Sequence, residues 1–212
     1  MKTDQLIGLL ASNLEPVRRG QTERAIVSAT IAGGAAAYGV MRLTLPVLDL
    51  GQHPHLPFLM LKLAFTLALV SVGVVFLVRS TRPGRDDSHA GVALVLPFVL
   101  LAGAGVAGVM TSPTAEWAAL LLGTQWALCC VCIPLFAIVP FGALTWAVRK
   151  GAPTDLRRAG AIVGLVAGGL GAAAYAFACP DHALPFIALW YSVPIGLCAF
   201  GGATVGPHLL RW

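Results

Sequence analysis

Six apolar stretches, each about 20 residues or longer, constrain this chain more than any other feature, because about 20 such residues carry an α-helix across the ~30 Å core of a bilayer. They fall at about 25–44, 58–79, 90–110, 126–148, 159–178 and 186–209. None alternates polar with apolar residues as a membrane barrel strand does, and each far exceeds the ~10 residues such a strand needs. The expectation is an all-α, polytopic membrane protein. Residues 25–212 form a six-helix transmembrane bundle, and residues 1–24 form a short segment outside it. Composition agrees: 11% of the 212 residues are charged, against about 25% in soluble domains. The loops, at about 45–57, 80–89, 111–125, 149–158 and 179–185, are too short to hold a folded soluble domain. Function therefore resides in the bundle, its loop edges or the N-terminal segment.

The excess of 14 Lys and Arg over 9 Asp and Glu reads as topology rather than as a nucleic-acid surface, and no nucleic-acid partner is expected. Lys2, Arg18, Arg19 and Arg24 precede the first span; Arg79, Arg82 and Arg85 follow the second. Arg149, Lys150, Arg157 and Arg158 lie between the fourth and fifth, and Arg211 closes the chain. With an even number of spans these all fall on one side, and the bias of basic loops toward the cytoplasm places both termini there. Arg42 and Lys62 sit near the outer ends of their spans, where snorkelling to the interface is expected. The polar stretch of about 24 residues before the first span is too long for the start of a cleavable signal peptide.

The spans are rich in glycine, including the GxxxG pairs Gly164 with Gly168 and Gly202 with Gly206. Such pairs allow close helix approach, and packing within the bundle is the expected use. Pro97, Pro134, Pro140 and Pro194 fall inside spans and should kink them. Apart from Lys62 the membrane interior carries no ionisable chain of the kind ion-coupled transporters use. No HExxH, Walker loop or serine nucleophile elbow is present. The chain is expected not to be an enzyme, with no cofactor and no small-molecule substrate.

In the N-terminal segment, Leu6, Ile7, Leu10, Leu14 and Val17 recur at helical spacing after the capping candidates Thr3 and Asp4. The pattern predicts a three-turn amphipathic helix ending near Pro16. A helix so short is marginal alone, so it rests on the membrane surface or folds into the groove of a partner.

Cys129, Cys130 and Cys132 fall in the first turns of the fourth span, and Cys179 opens the outer loop before the sixth. All four are expected at the outer face, whereas Cys198 lies mid-span as a packing residue. Cys129 and Cys132 form a Cys-x-x-Cys on one helix side. For Cys130 and Cys132 packing competes evenly with a chemical role. The outer residues His53, His55, Asp181 and His182 offer a metal-binding reading around the thiols, for a zinc- or cadmium-like ion. It ranks below a dithiol and disulfide switch, because three loops must converge.

The order of several short motifs resembles a known family along the whole chain. These are Met1-Lys2-Thr3-Asp4-x-Leu6-Ile7-x-x-Leu10, then Lys62 with Thr66, then Arg82-Pro83-Gly84. Trp126-x-x-Cys129-x-x-x-Ile133-Pro134 and Cys179-Pro180-x-x-x-x-Pro185-x-x-x-x-Trp190-Tyr191 follow. In these the chain resembles the six-span NrsF-type anti-sigma factors, which restrain sigma-F-like extracytoplasmic-function sigma factors at the bacterial inner membrane. The resemblance implies a sigma-factor partner held by the N-terminal segment, with Asp4, Leu6, Ile7, Leu10, Leu14 and Val17 as contact residues. It also implies Cys129 and Cys179 as sensing thiols, with Cys130 and Cys132 departing from the family pattern. Two further readings stand beside it: a quinone-linked membrane thiol oxidoreductase using Cys129 and Cys132, and a transporter of a small solute or metal ion. They rank below sigma restraint in that order.

Overall fold

In hydrocarbon every backbone N–H and C=O must bond within its own segment, and each apolar run duly forms a long helix. The computed structural model describes residues 20–46, 56–80, 90–151 and 153–211. In chain order the helices are α1 (Gln21–Thr44), α2 (Leu56–Ser80), α3 (Ala90–Met110), α4 (Trp117–Leu122), α5 (Trp126–Arg149), α6 (Leu156–Tyr175) and α7 (Leu184–Leu209). A single 3₁₀ turn, Thr114–Glu116, leads into α4. The protein is all-α, and among the described residues six helices are long and apolar enough to cross a membrane.

The boundaries shift from the sequence reading for local reasons. The fifth span begins at Leu156 rather than about 159, because the Asp155 carboxylate accepts from Arg157 N at 3.1 Å and Arg158 N at 3.0 Å and so caps the helix there. Its regular part ends at Tyr175, short of the expected 178, and a final turn closed by Cys179 N donating to Tyr175 O at 3.1 Å leads into the loop before α7. α7 starts at Leu184, with Pro185 in its first turn, where a missing N–H costs nothing. The stretch expected as loop at 111–125 contains α4.

α6 is the central element. Seventy-eight per cent of its apolar window is buried, against 44% or less for the other five spans, and it packs on α1, α2, α5 and α7. Its contact with α7 is backbone on backbone. A Cβ added to Gly206 would stand 2.8 Å from Gly160 Cα, and one on Gly202 would stand 3.1 Å from Gly164 Cα. The glycine pairs thus serve packing inside the bundle. α3 is peripheral and presents Val92, Leu100, Val106 and Met110 outward, as a lipid-facing helix must.

The core has two layers. One contains Met41, Phe65, Cys129, Tyr175, Cys179, Phe186 and Tyr191. The other contains Ile26, Leu77, Leu144, Val148, Ile162 and Leu210. The basic helix ends gather beside the second layer: Arg149 Nη2 donates to Arg211 O at 3.4 Å, and Lys150 Nζ lies 3.5 Å from the Trp146 ring centroid. At the opposite end Trp126 and Trp190 face each other with centroids 5.2 Å apart. Aromatic residues at both ends are the usual marks of membrane interfaces.

Candidate functional site: a buried thiol pair beside a lysine

The tryptophan-marked end opposite the basic one holds a cluster built from four elements. Cys129 comes from the first turn of α5, Cys179 from the α6–α7 loop, Lys62 from α2, and Tyr175 and Tyr191 from α6 and α7. The Cys129 and Cys179 thiols lie together in one core layer and interact electrostatically, and both residues have no exposed surface. Both are free thiols, as are Cys130, Cys132 and Cys198. The two cysteines expected at the interface are thus fully buried in the bundle, one of them in the loop between α6 and α7.

Lys62 corrects the sequence reading. Instead of snorkelling it is fully buried, and its Nζ donates to the Cys179 carbonyl at 3.0 Å and the Asp181 carbonyl at 2.6 Å. It also lies 5.6 Å from the centre of the Tyr191 ring. One turn along α2, Thr66 is buried too and bonds back to Lys62 O at 2.9 Å. From its place inside α2 the lysine reaches the loop more easily than water, because the α6–α7 loop folds over the end of the helix.

Asp181 straps that loop to α5. Its carboxylate accepts from Thr124 N at 3.2 Å, Thr124 Oγ1 at 3.0 Å and Gln125 N at 3.0 Å. An anion at a helix N-terminus satisfies donors that the helix itself leaves open. Gly123, with φ +55, makes the sharp entry, and a Cβ there would stand 3.0 Å from Asp181 Oδ2. Trp190 Nε1 donates to Leu121 O at 2.7 Å and ties α4 to α7 beside it.

The environment acts on Cys179, which lies outside the spans. The adjoining Cys129 thiol, the neighbouring Lys62 ammonium and the Asp181 backbone outweigh burial and lower its thiol pKa to about 6. The lowered pKa favours the Cys179 thiolate, the reactive form toward oxidants and soft metals. The hydroxyls of Tyr175 and Tyr191 are buried without a well-directed hydrogen-bond partner, and the groups they approach are the two sulfurs.

Of the other candidates, Cys132 packs in the same core layer, and Cys130 is half-buried. Cys198 faces α6 near Gly168. Asp181, a metal candidate by sequence, is engaged at α5, and the His182 ring lies 6.0 Å from that of Phe58. Among the described residues no three His, Cys, Asp or Glu side chains gather as a metal site. His53, His55, Asp4, Leu6, Ile7, Leu10, Leu14 and Val17 lie outside the described residues. Sequence reasoning missed the roles of Lys62, Tyr175, Tyr191 and Asp181. For Lys62 the signal was present: an ionisable residue within a span is a functional candidate by default.

Comparison with known proteins bears on the whole chain. No solved structure matches it. A probable anti-sigma-F factor NrsF of Azospira oryzae is 30% identical over 213 residues, and the anti-sigma-F factor NrsF of Caulobacter vibrioides is 33% identical over 216, each covering all of both chains. The family described as NrsF, negative regulator of sigma F, matches residues 10–212. With a family match across nearly its whole length and full-length relatives at this identity, the chain belongs to the NrsF family of negative regulators of sigma F.

Proposed function

We propose that this protein is an inner-membrane anti-sigma factor that holds a sigma-F-like extracytoplasmic-function sigma factor through residues 1–24 and releases it under oxidative or heavy-metal stress. Both termini lie in the cytoplasm, where the basic residues gather, and the thiol pair faces the periplasm. What carries the sensing half is the adjacency of Cys129 and Cys179, brought together from α5 and the α6–α7 loop in one buried core layer. The anti-sigma half is supported by full-length relatives named for that role.

The physical link between the two ends is α6, whose residues enter both core layers. A disulfide or a captured soft metal at Cys129 and Cys179 changes the seating of the loop on α2 and α5. Close glycine contacts leave α6 little room to absorb that change locally, so it shifts against α7, α5 and α1. α1 leads directly back to the N-terminal segment. The coupling therefore requires two arrangements of the bundle that the outer site biases.

The test is a Cys129→Ser plus Cys179→Ser variant in cells. It should still restrain the sigma factor but fail to release it, so that induction of a sigma-dependent reporter falls at least tenfold under oxidant or cadmium. Normal induction in that variant overturns the sensing reading. The oxidoreductase and transporter readings gain no observation of their own from the site.

A further inference from the structure

A wholly buried ammonium is costly unless something neutralises it. Among the described residues Lys62 meets two backbone carbonyls, the face of Tyr191 and the Cys179 thiol. Carbonyl dipoles orient the cation but carry no net charge. The carboxylate of Asp181, the nearby acid, is bonded to Thr124 and Gln125 at the start of α5. The group placed to supply the counter-charge is Cys179.

We propose that Lys62 is the positioning residue of the thiol pair: its ammonium forms an ion pair with the Cys179 thiolate in the reduced protein, and disulfide formation strands it as a buried cation that drives the Cys179–Asp181 backbone off α2. This rests on the reading of Cys129 and Cys179 as sensors and adds the force that turns their oxidation into movement. With hydrogen peroxide as oxidant, the Cys179 thiolate attacks one peroxide oxygen and the O–O bond breaks. The departing hydroxide takes a proton from solvent and leaves as water. The Cys129 sulfur then displaces hydroxide from the resulting sulfenic acid, and its own proton leaves with that hydroxide as a second water. The two thiols lose two electrons and the peroxide gains them. The product holds no anion opposite Lys62.

Other titratable groups face the pair. Cys129 and Cys132 stand on α5, Tyr175 on α6 and Tyr191 on α7, and Asp181 and His182 share the loop with Cys179. Lys62 is distinguished from them as the cation hydrogen-bonded to the backbone of the loop at Cys179 and at Asp181, whose carbonyl the Cys179 sulfur also approaches at 4.0 Å.

The experiment uses the full chain in lipid nanodiscs and measures the rate of Cys129–Cys179 disulfide formation by hydrogen peroxide between pH 5 and 9, read by mass spectrometry after alkylation. The wild-type rate should rise with pH through a midpoint near 6, where Cys179 loses its proton. Lys62→Met should move that midpoint up by at least one pH unit, which lowers the rate at pH 6 about fivefold, and Lys62→Arg should restore most of it. An unchanged profile in Lys62→Met overturns the proposal. A second measurement needs no variant: acetylation of Lys62 by acetic anhydride should be at least fivefold faster in the oxidised wild type than in the reduced protein. Equal labelling overturns the stranded-cation step. Failure of the sensing reading shows separately, as normal stress release by the Cys129→Ser plus Cys179→Ser variant.

Discussion

At the level of single residues the site depends on where polar groups find partners inside an apolar bundle. Asp181 holds three donors at the start of α5, and losing such a cap costs about 1–2 kcal/mol. Asp181→Ala should therefore lower the melting temperature of the detergent-solubilised protein by several degrees. It should also quicken alkylation of Cys179 by loosening the loop, and unchanged alkylation would show that the strap is not needed to seal the thiols. Because the Cys179 pKa lies below the ordinary thiol value, its reactivity is full at neutral pH and is lost as pH falls through about 6. Alkylation of Cys179 in the variant Cys129→Ser, followed by mass spectrometry, should lose part of that advantage, since the adjoining Cys129 thiol is the largest cause of the low value. A midpoint that stays near 6 in this variant would contradict the paired geometry. Cys129 and Cys179 were legible in the sequence as thiols at the same end of the bundle. Their burial was not, because it depends on a loop whose seat is set by Lys62 and Asp181, residues far apart in the chain.

At the level of elements the spans were legible because hydrophobic length alone fixes them, and only their ends moved. Asp155 and Pro185 set two of those ends by capping and ring chemistry, which a hydropathy reading does not weigh. The partner of each glycine stripe is a different matter: spacing shows that helices approach closely and leaves open which ones do. α6 and α7 are the pair here, and the contrast between their glycines is testable. Gly164→Leu would push a side chain into the Cys198–Ala199 backbone and should cost on the order of 3 kcal/mol. Gly201→Leu meets nothing within 4 Å and should stay within about 1 kcal/mol of wild type, as thermal unfolding in detergent can check. Equal losses would mean that the two helices meet by other faces.

At the level of the whole molecule the protein is a bundle with two unlike ends, thiols and a lysine at one and basic helix termini at the other. Charge distribution alone makes that polarity readable, since basic residues at the ends of six spans sort by side once the number of spans is known. The sigma-factor partner was readable only through resemblance, because an amphipathic stretch of three turns specifies a groove but not whose groove it is. In the proposed function the N-terminal segment acts as the grip and the thiol pair as the release. The most direct measurement is the amount of sigma factor that co-purifies with the tagged full-length protein from membranes, before and after peroxide treatment, beside a variant lacking residues 2–20. The account predicts stoichiometric recovery from reduced membranes, at least fivefold less after oxidation, and none with the deletion. Undiminished recovery with residues 2–20 removed would contradict it.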